Sequence, residues 1–158
     1  NDVVAIDTAT KAVIASVDVG NEPAAIAINP AGSRVYVANA ATNDVSVIDT
    51  ATDKLVTTVP VGINPEGASV NPAGTKLYIP NAGSNSVSVI DTATNIVMTT
   101  VDVGNFPLSY GQFIGPDIAP PGPQPVPEFP SNIIPVVSII GFLGIVLYLR
   151  VIRGCQKY

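Results

Sequence analysis

Two patterns of apolar residues divide the chain. As far as residue 114, short runs of Val, Ile, Ala, Leu and Tyr alternate with small or polar residues, and clusters of Asn, Asp, Pro, Gly and Thr separate the runs. That alternation predicts short β-strands joined by hairpin-length turns. Near the C-terminus the pattern changes. Residues 133–149, IIPVVSIIGFLGIVLYL, carry no charge and have Ser138 as their one clearly polar side chain.

The strand pattern repeats. VIDTAT or AIDTAT begins at Ala5, Val47 and Val89, 42 residues apart each time, and residues 21–62 and 63–104 align without a gap at 22 identities. A period in the low forties built of strands and turns predicts propeller blades rather than a helical solenoid. Each unit reads as four strands: an inner run (24–29, 67–71), an Asn-Pro-Ala-Gly turn, a second run (34–39, 76–81), a third (44–48, 86–90), an Asp-Thr-Ala-Thr turn and a fourth (55–61, 97–103). The inner run is rich in Ala, Gly and Ser, as suits strands converging on an axis. Pro60, with Asp102 as its equivalent, marks the fourth run as an edge strand.

Tyr36-Val37-Ala38-Asn39 and Tyr78-Ile79-Pro80-Asn81, with the surrounding NPAG and VSVIDTAT strings, resemble the YVTN β-propeller repeats of archaeal surface-layer-type proteins and some bacterial secreted proteins. The resemblance covers roughly residues 1–114 and implies a scaffold or adhesive role more than a chemistry. Ala38 and Pro80 depart from it at the third signature position.

The fold class expected is therefore all-β, with blades of four antiparallel strands in an incomplete ring, followed by a Pro-rich linker and one transmembrane helix. By domain, residues 1–20 form a partial blade, 21–62 and 63–104 are full blades, and 105–114 is a final inner strand. A linker over 115–132, a span over 133–149 and a basic tail over 150–158 follow. Two blades cannot encircle an axis, so further blades are expected upstream of Asn1. Seven of the sixteen residues in 115–130 are proline, which favours an extended polyproline II stalk. Seventeen apolar residues rise about 25 Å as a helix, and flanking residues bring the span to the interfaces of a ~30 Å core. Arg150, Arg153 and Lys157 behind it place the C-terminus in the cytoplasm and the propeller outside, at the cell surface. Pro127-Glu128-Phe129-Pro130 ahead of the span is similar to the PEF-type sorting signal read by archaeosortase-like membrane enzymes. That similarity implies processing near the motif.

Charge and composition narrow the chemistry. All 12 carboxylates precede residue 129, beside four cations, so the body is acidic and offers nucleic acid no basic patch. There is no histidine, and the one cysteine, Cys155, lies in the tail. That removes Ser-His-Asp and Cys-His catalysis, haem attachment and Cys-based zinc sites. Asp7, Asp49 and Asp91 recur once per blade beside Thr8, Thr50 and Thr92, a pattern of turn residues satisfying local amides. Asn43, Asn85 and Asp53 read the same way. The sequence thus assigns no catalytic, cofactor or metal-binding residue. It favours a non-enzymatic scaffold or adhesion protein that binds surface proteins or glycans. The alternative is a propeller enzyme, lactonase-like or redox, whose active site lies in upstream blades.

Overall fold

The computed structural model describes residues 1–109 and 111–115. The linker, the span at 133–149, the motif Pro127–Pro130 and the basic residues Arg150, Arg153 and Lys157 lie outside the described residues. No helix among the described residues is long and apolar enough to cross a membrane.

The strands fall into three antiparallel sheets in chain order. A hairpin pairs β1 (Asp2–Ile6) with β2 (Val13–Asp18). A four-stranded sheet follows, with β3 (Pro23–Ile28), β4 (Arg34–Asn39), β5 (Asp44–Asp49) and β6 (Lys54–Pro60) side by side. The second sheet repeats the order with β7 (Ser69–Val70), β8 (Lys76–Asn81), β9 (Ser86–Asp91) and β10 (Ile96–Asp102). Pro60 and Asp102 lie on the edge strands β6 and β10, where a missing N–H or a charge costs the ladder little.

Turn chemistry explains why the repeat folds this way. Asn29 Oδ1 accepts the amides of Ser33 and Arg34 at 2.9 and 3.0 Å, and Gly32 adopts the left-handed φ of 69° that closes the turn. Asn71 and Gly74 do the same in the second sheet. Asp7, Asp49 and Asp91 each accept two amide N–H groups and a threonine hydroxyl through Oδ1. Thr50 and Thr92 then donate their hydroxyls to the carbonyls of Gly32 and Gly74, tying the two turns of each sheet together. A β-bulge recurs where Ile14, Val56 and Met98 are skipped in the pairing, 42 residues apart. Such bulges increase local twist and blunt an edge strand against pairing with another chain.

These turn aspartates give the fold a pH dependence. Their carboxyls are held below the ordinary carboxylate range. For Asp7 and Asp91 the amides of Thr10 and Thr94 are the largest cause and the hydroxyls the next; for Asp49 the Thr52 hydroxyl leads. A carboxylate depressed in the folded state contributes stability above its unfolded pKa of about 3.9, and that contribution disappears as pH falls through the folded value. Thermal melts followed by circular dichroism should hold a steady midpoint from pH 7 to about 5 and then fall below about 4. Replacing Asp49 and Asp91 by Asn should flatten that fall.

The core lies between the sheets. Tyr36, Val45, Val47 and Val59 on the first sheet pack against Ala68, Val70, Leu77, Ile79 and Ile90 on the second. β5 is buried on both faces, with Val45 and Val47 on one and Ser46 and Ile48 on the other. That is the environment of a strand sandwiched between neighbouring sheets. Burial pushes the Tyr36 phenol above its ordinary pKa, against the opposing pull of Arg34.

The two inner strands differ. β3 has six residues and β7 two. Pro80 accounts for the difference. Its carbonyl accepts the Glu66 amide at 3.0 Å, so its own missing N–H faces the inner strand and leaves a gap in that ladder. Its ring also needs space, because a β-carbon on Gly67 would sit 2.9 Å from Pro80 Cγ. Residues 105–109 and 111–114, expected as a further inner strand, contain no strand. Instead the amides of Phe113 and Ile114 reach Ser69 Oγ at 3.2 and 3.3 Å.

Candidate active site at the loop end

One end of the sheets gathers the loops that pass from the outermost strand of one sheet to the innermost strand of the next. A regular set of backbone bonds fixes these loops. The carbonyls of Glu22 and Asn64 accept the amides of Ala40 and Ala82, each at 2.8 Å. Asn43 and Asn85, both left-handed at φ 59° and 54°, aim Oδ1 at the next loop, where it accepts the amides of Asn64 (2.8 Å) and Phe106 (2.9 Å). These asparagines are therefore clasps between blades as well as turn residues.

Under the loops lie two fully buried amides. Asn39 Nδ2 donates to Asp44 Oδ1 (2.6 Å) and Ser46 Oγ (3.0 Å), and Asn81 Nδ2 donates to Ser86 and Ser88 (3.1 and 3.0 Å). Among the described residues their Oδ1 atoms have no partner. The inner-strand residues across from them, Pro23 and Pro65, carry no N–H. Gly20 and Gly62 cap the amides so closely that a β-carbon would lie 2.7 and 2.6 Å from Nδ2. Polar residues at strand ends read as surface turns in a sequence, so nothing short of the fold revealed this burial.

Charge is segregated between the two ends. Asp2, Asp18, Glu22, Asp44, Glu66 and Asp102 stand at the loop end, and no Lys or Arg stands with them among the described residues. The turn end has Asp7, Asp49, Asp53 and Asp91 against Lys11, Arg34, Lys54 and Lys76, with Arg34 paired to Asp49. Glu66 differs from the other five carboxylates. It follows Pro65 on the approach to β7, is half-buried, and occupies the position where the preceding repeat has Ala24. The turn aspartates Asp7, Asp49 and Asp91 recur in every repeat and serve the frame, whereas Glu66, on the approach to an inner strand, has no carboxylate as its equivalent in the preceding repeat. That departure is visible in the sequence. Beside this strand a cleft of about 680 Å³ opens between β3 and β7, with Ile26, Ile28, Ala68, Ser69, Val70 and Gln112 in its walls. Glu66 stands beyond those walls, toward the loop end. No group of three or more His, Cys, Asp or Glu side chains among the described residues is placed to hold a metal ion.

Two four-stranded antiparallel sheets, packed face to face and linked outermost strand to innermost, are consecutive blades of a β-propeller. The chain belongs to the family described as Lactonase, 7-bladed beta-propeller, whose model matches residues 3–102. Among solved structures it is similar to the hydrazine synthase of Kuenenia stuttgartiensis, at TM-score 0.65 and 30% identity over 66% of this chain and 30% of that one. It is also similar to AztD from Citrobacter koseri (TM-score 0.56, 14% identity, 68% of this chain and 31% of that one). A third is the dihydro-heme d1 dehydrogenase NirN (TM-score 0.58, 20% identity, 63% and 22%). The last two likenesses show the fold alone. None of the curated proteins matches the chain. The chain spans about a third or less of the length of these structures.

Family membership corrects the functional expectation. A non-enzymatic surface scaffold or adhesion protein was expected, and the chain instead belongs with a lactonase propeller family and shares 30% identity with an enzyme. The physical reason is that the repeated strings build the blade frame, which is common to propellers of any function.

Proposed function

We propose that the chain is part of a propeller enzyme that hydrolyses a neutral lactone at the loop end, with Glu66 as general base. Membership of the lactonase family is the observation that carries this reading. Glu66 takes a proton from water as the water oxygen attacks the ester carbonyl carbon. The ring C–O bond then breaks, and the leaving alkoxide recovers the proton from Glu66 to give the hydroxy acid. Six carboxylates with no cation among them favour a neutral substrate over a carboxylated or phosphorylated one. The hydrazine synthase likeness also fits a redox propeller. Hydrolysis is the better reading because the lactonase family model spans residues 3–102, most of the described chain.

The test is proton release by the full chain from a panel of neutral γ- and δ-lactones. Glu66→Gln should lower kcat/KM by about 10²–10⁴-fold. Absence of turnover, or a variant as active as the parent, would overturn the reading.

By the same proposal the enzyme works outside the membrane, tethered through 133–149 with Arg150, Arg153 and Lys157 on the inner side. The motif Pro127–Pro130 is then offered to a processing enzyme. Mass spectrometry of the mature protein checks this; an intact Tyr158 terminus rules cleavage out.

A further inference from the structure

The outermost strand of each repeat is divided along its length. The part nearest the turn end is aliphatic, with Val13 and Ile14 in β2, Leu55 and Val56 in β6, and Ile96 and Met98 in β10. Toward the loop end it continues with hydroxyl side chains: Ser16, then Thr57 and Thr58, then Thr99 and Thr100. In a regular strand neighbouring side chains point to opposite faces, so one of two adjacent residues would turn toward a flanking sheet. The bulge changes this. Ile14, Val56 and Met98 are the residues skipped in the pairing, and a bulge re-aims the side chains at its position.

Leu55 and Val56 are accordingly both exposed, at 45% and 49%. Their sheet is flanked by the hairpin on one side and the second sheet on the other. The exposure is therefore not that of a sheet without a neighbour. Blades flank one another around an axis and leave each outermost strand at the rim, so additional blades would not cover this edge. Ile14 and Met98, at the same repeat position, are 64% and 57% exposed.

Charge follows the same division. Lys11, Arg34, Lys54 and Lys76, the four cations of the described residues, all stand at the turn end, and Lys11 and Lys54 border the aliphatic residues of β2 and β6. Aliphatic side chains beside lysines suit a lipid surface, where the former enter the acyl boundary and the latter meet anionic headgroups. A protein partner is served less well. The bulges block addition of a further strand, and the aliphatic residues sit on three separate sheets rather than on one continuous face. Lipid accepts separated anchors because it needs no matching shape. The sequence also brings such a surface within reach: residues 116–132 join the described body to the apolar run 133–149 and extend to at most about 60 Å.

We propose that the turn-end rim of the blades docks on a lipid surface, with Ile14, Val56 and Met98 entering the acyl boundary and Lys11 and Lys54 at the headgroups. The contact is independent of lactone hydrolysis and rests, for its proximity to lipid, on the tether at 133–149.

The experiment places an environment-sensitive fluorophore on single cysteines in the full chain carrying Cys155→Ser. The chain is reconstituted in vesicles of phosphatidylcholine and phosphatidylglycerol in equal parts. Val56→Cys and Met98→Cys report on the rim, and Ile63→Cys is the control, since Ile63 is exposed like Met98 but stands at the loop end. Rim probes should shift to the blue and be quenched by lipids bearing a nitroxide on the acyl chain, while the Ile63 probe stays in water. Ile14→Ser with Leu55→Ser should lower the docked-to-undocked ratio read at Met98 at least about tenfold. If circular dichroism shows that Val56→Cys does not fold, Val13→Cys takes its place. Rim probes that remain water-like, or an Ile63 probe quenched as strongly as they are, would overturn the proposal. So would rim probes shifted to the blue but unquenched, which is the result expected if residues 116–158 or another protein chain covers the rim. Alkaline carbonate separates the two readings: release of a chain whose rim probes were quenched sinks the tether and leaves the docking, and retention with unquenched rim probes does the reverse.

Discussion

Tyr36→Ala is expected to lower the unfolding free energy by about 3–5 kcal/mol, the usual cost of removing a buried aromatic ring from a packed core. Tyr36 is fully buried between the two sheets, among Val45, Val47 and Val59 and facing the apolar surface of the second sheet. Its equivalent one repeat later, Tyr78, keeps the same strand neighbours but is only half-buried. Tyr78→Ala should therefore cost clearly less in dilute protein. Denaturant unfolding of the two variants side by side measures what a neighbouring blade contributes to a fixed sequence position. Equal losses would mean that Tyr36 is held by its own sheet and not by the interface.

The second large effect concerns the glycines of the interblade loops. A β-carbon on Gly62 would lie 2.4 Å from Ser84 Oγ and 2.6 Å from Asn81 Cγ. Ser84 can rotate, but Asn81 cannot: its amide is fully buried and bonded to Ser86 and Ser88. Gly62→Ala should cost about 1–3 kcal/mol, in the range of an overpacked core. Gly104 occupies the same repeat position, and no atom of the described residues lies within 4 Å of its would-be β-carbon. Gly104→Ala should be close to neutral. Melting temperatures of the pair decide the matter, and a similar drop for both would show that backbone freedom, not space, is what the position requires.

Within the two full repeats, strand number, order and turns were legible because each is written in local chemistry that recurs at a fixed spacing. Asn29 and Asn71 open turns that Gly32 and Gly74 close, and Asp7, Asp49 and Asp91 anchor the other turns through their side chains. The inner run was expected over 67–71 and pairs only over Ser69–Val70, because Pro80 cannot donate to its neighbour. Asn39 and Asn81 were not legible as core residues. Their burial depends on a loop arriving from the neighbouring blade, and composition holds no trace of that approach. The function was misread for a related reason. Similarity between repeats highlights the residues all blades need and is silent on positions such as Glu66, where two blades differ. The candidate base was visible only as a departure from Ala24.

The separation of charge between the two ends makes the folded unit an electric dipole. Six carboxylates at the loop end give that pole a side-chain charge of −6, while four acids and four bases cancel at the other. Anionic surfaces, whether lipid headgroups or acidic polymers, repel the first pole over roughly a Debye length, about 8–10 Å at moderate salt. Electrostatics among the described residues therefore favours approach to such a surface by the turn end.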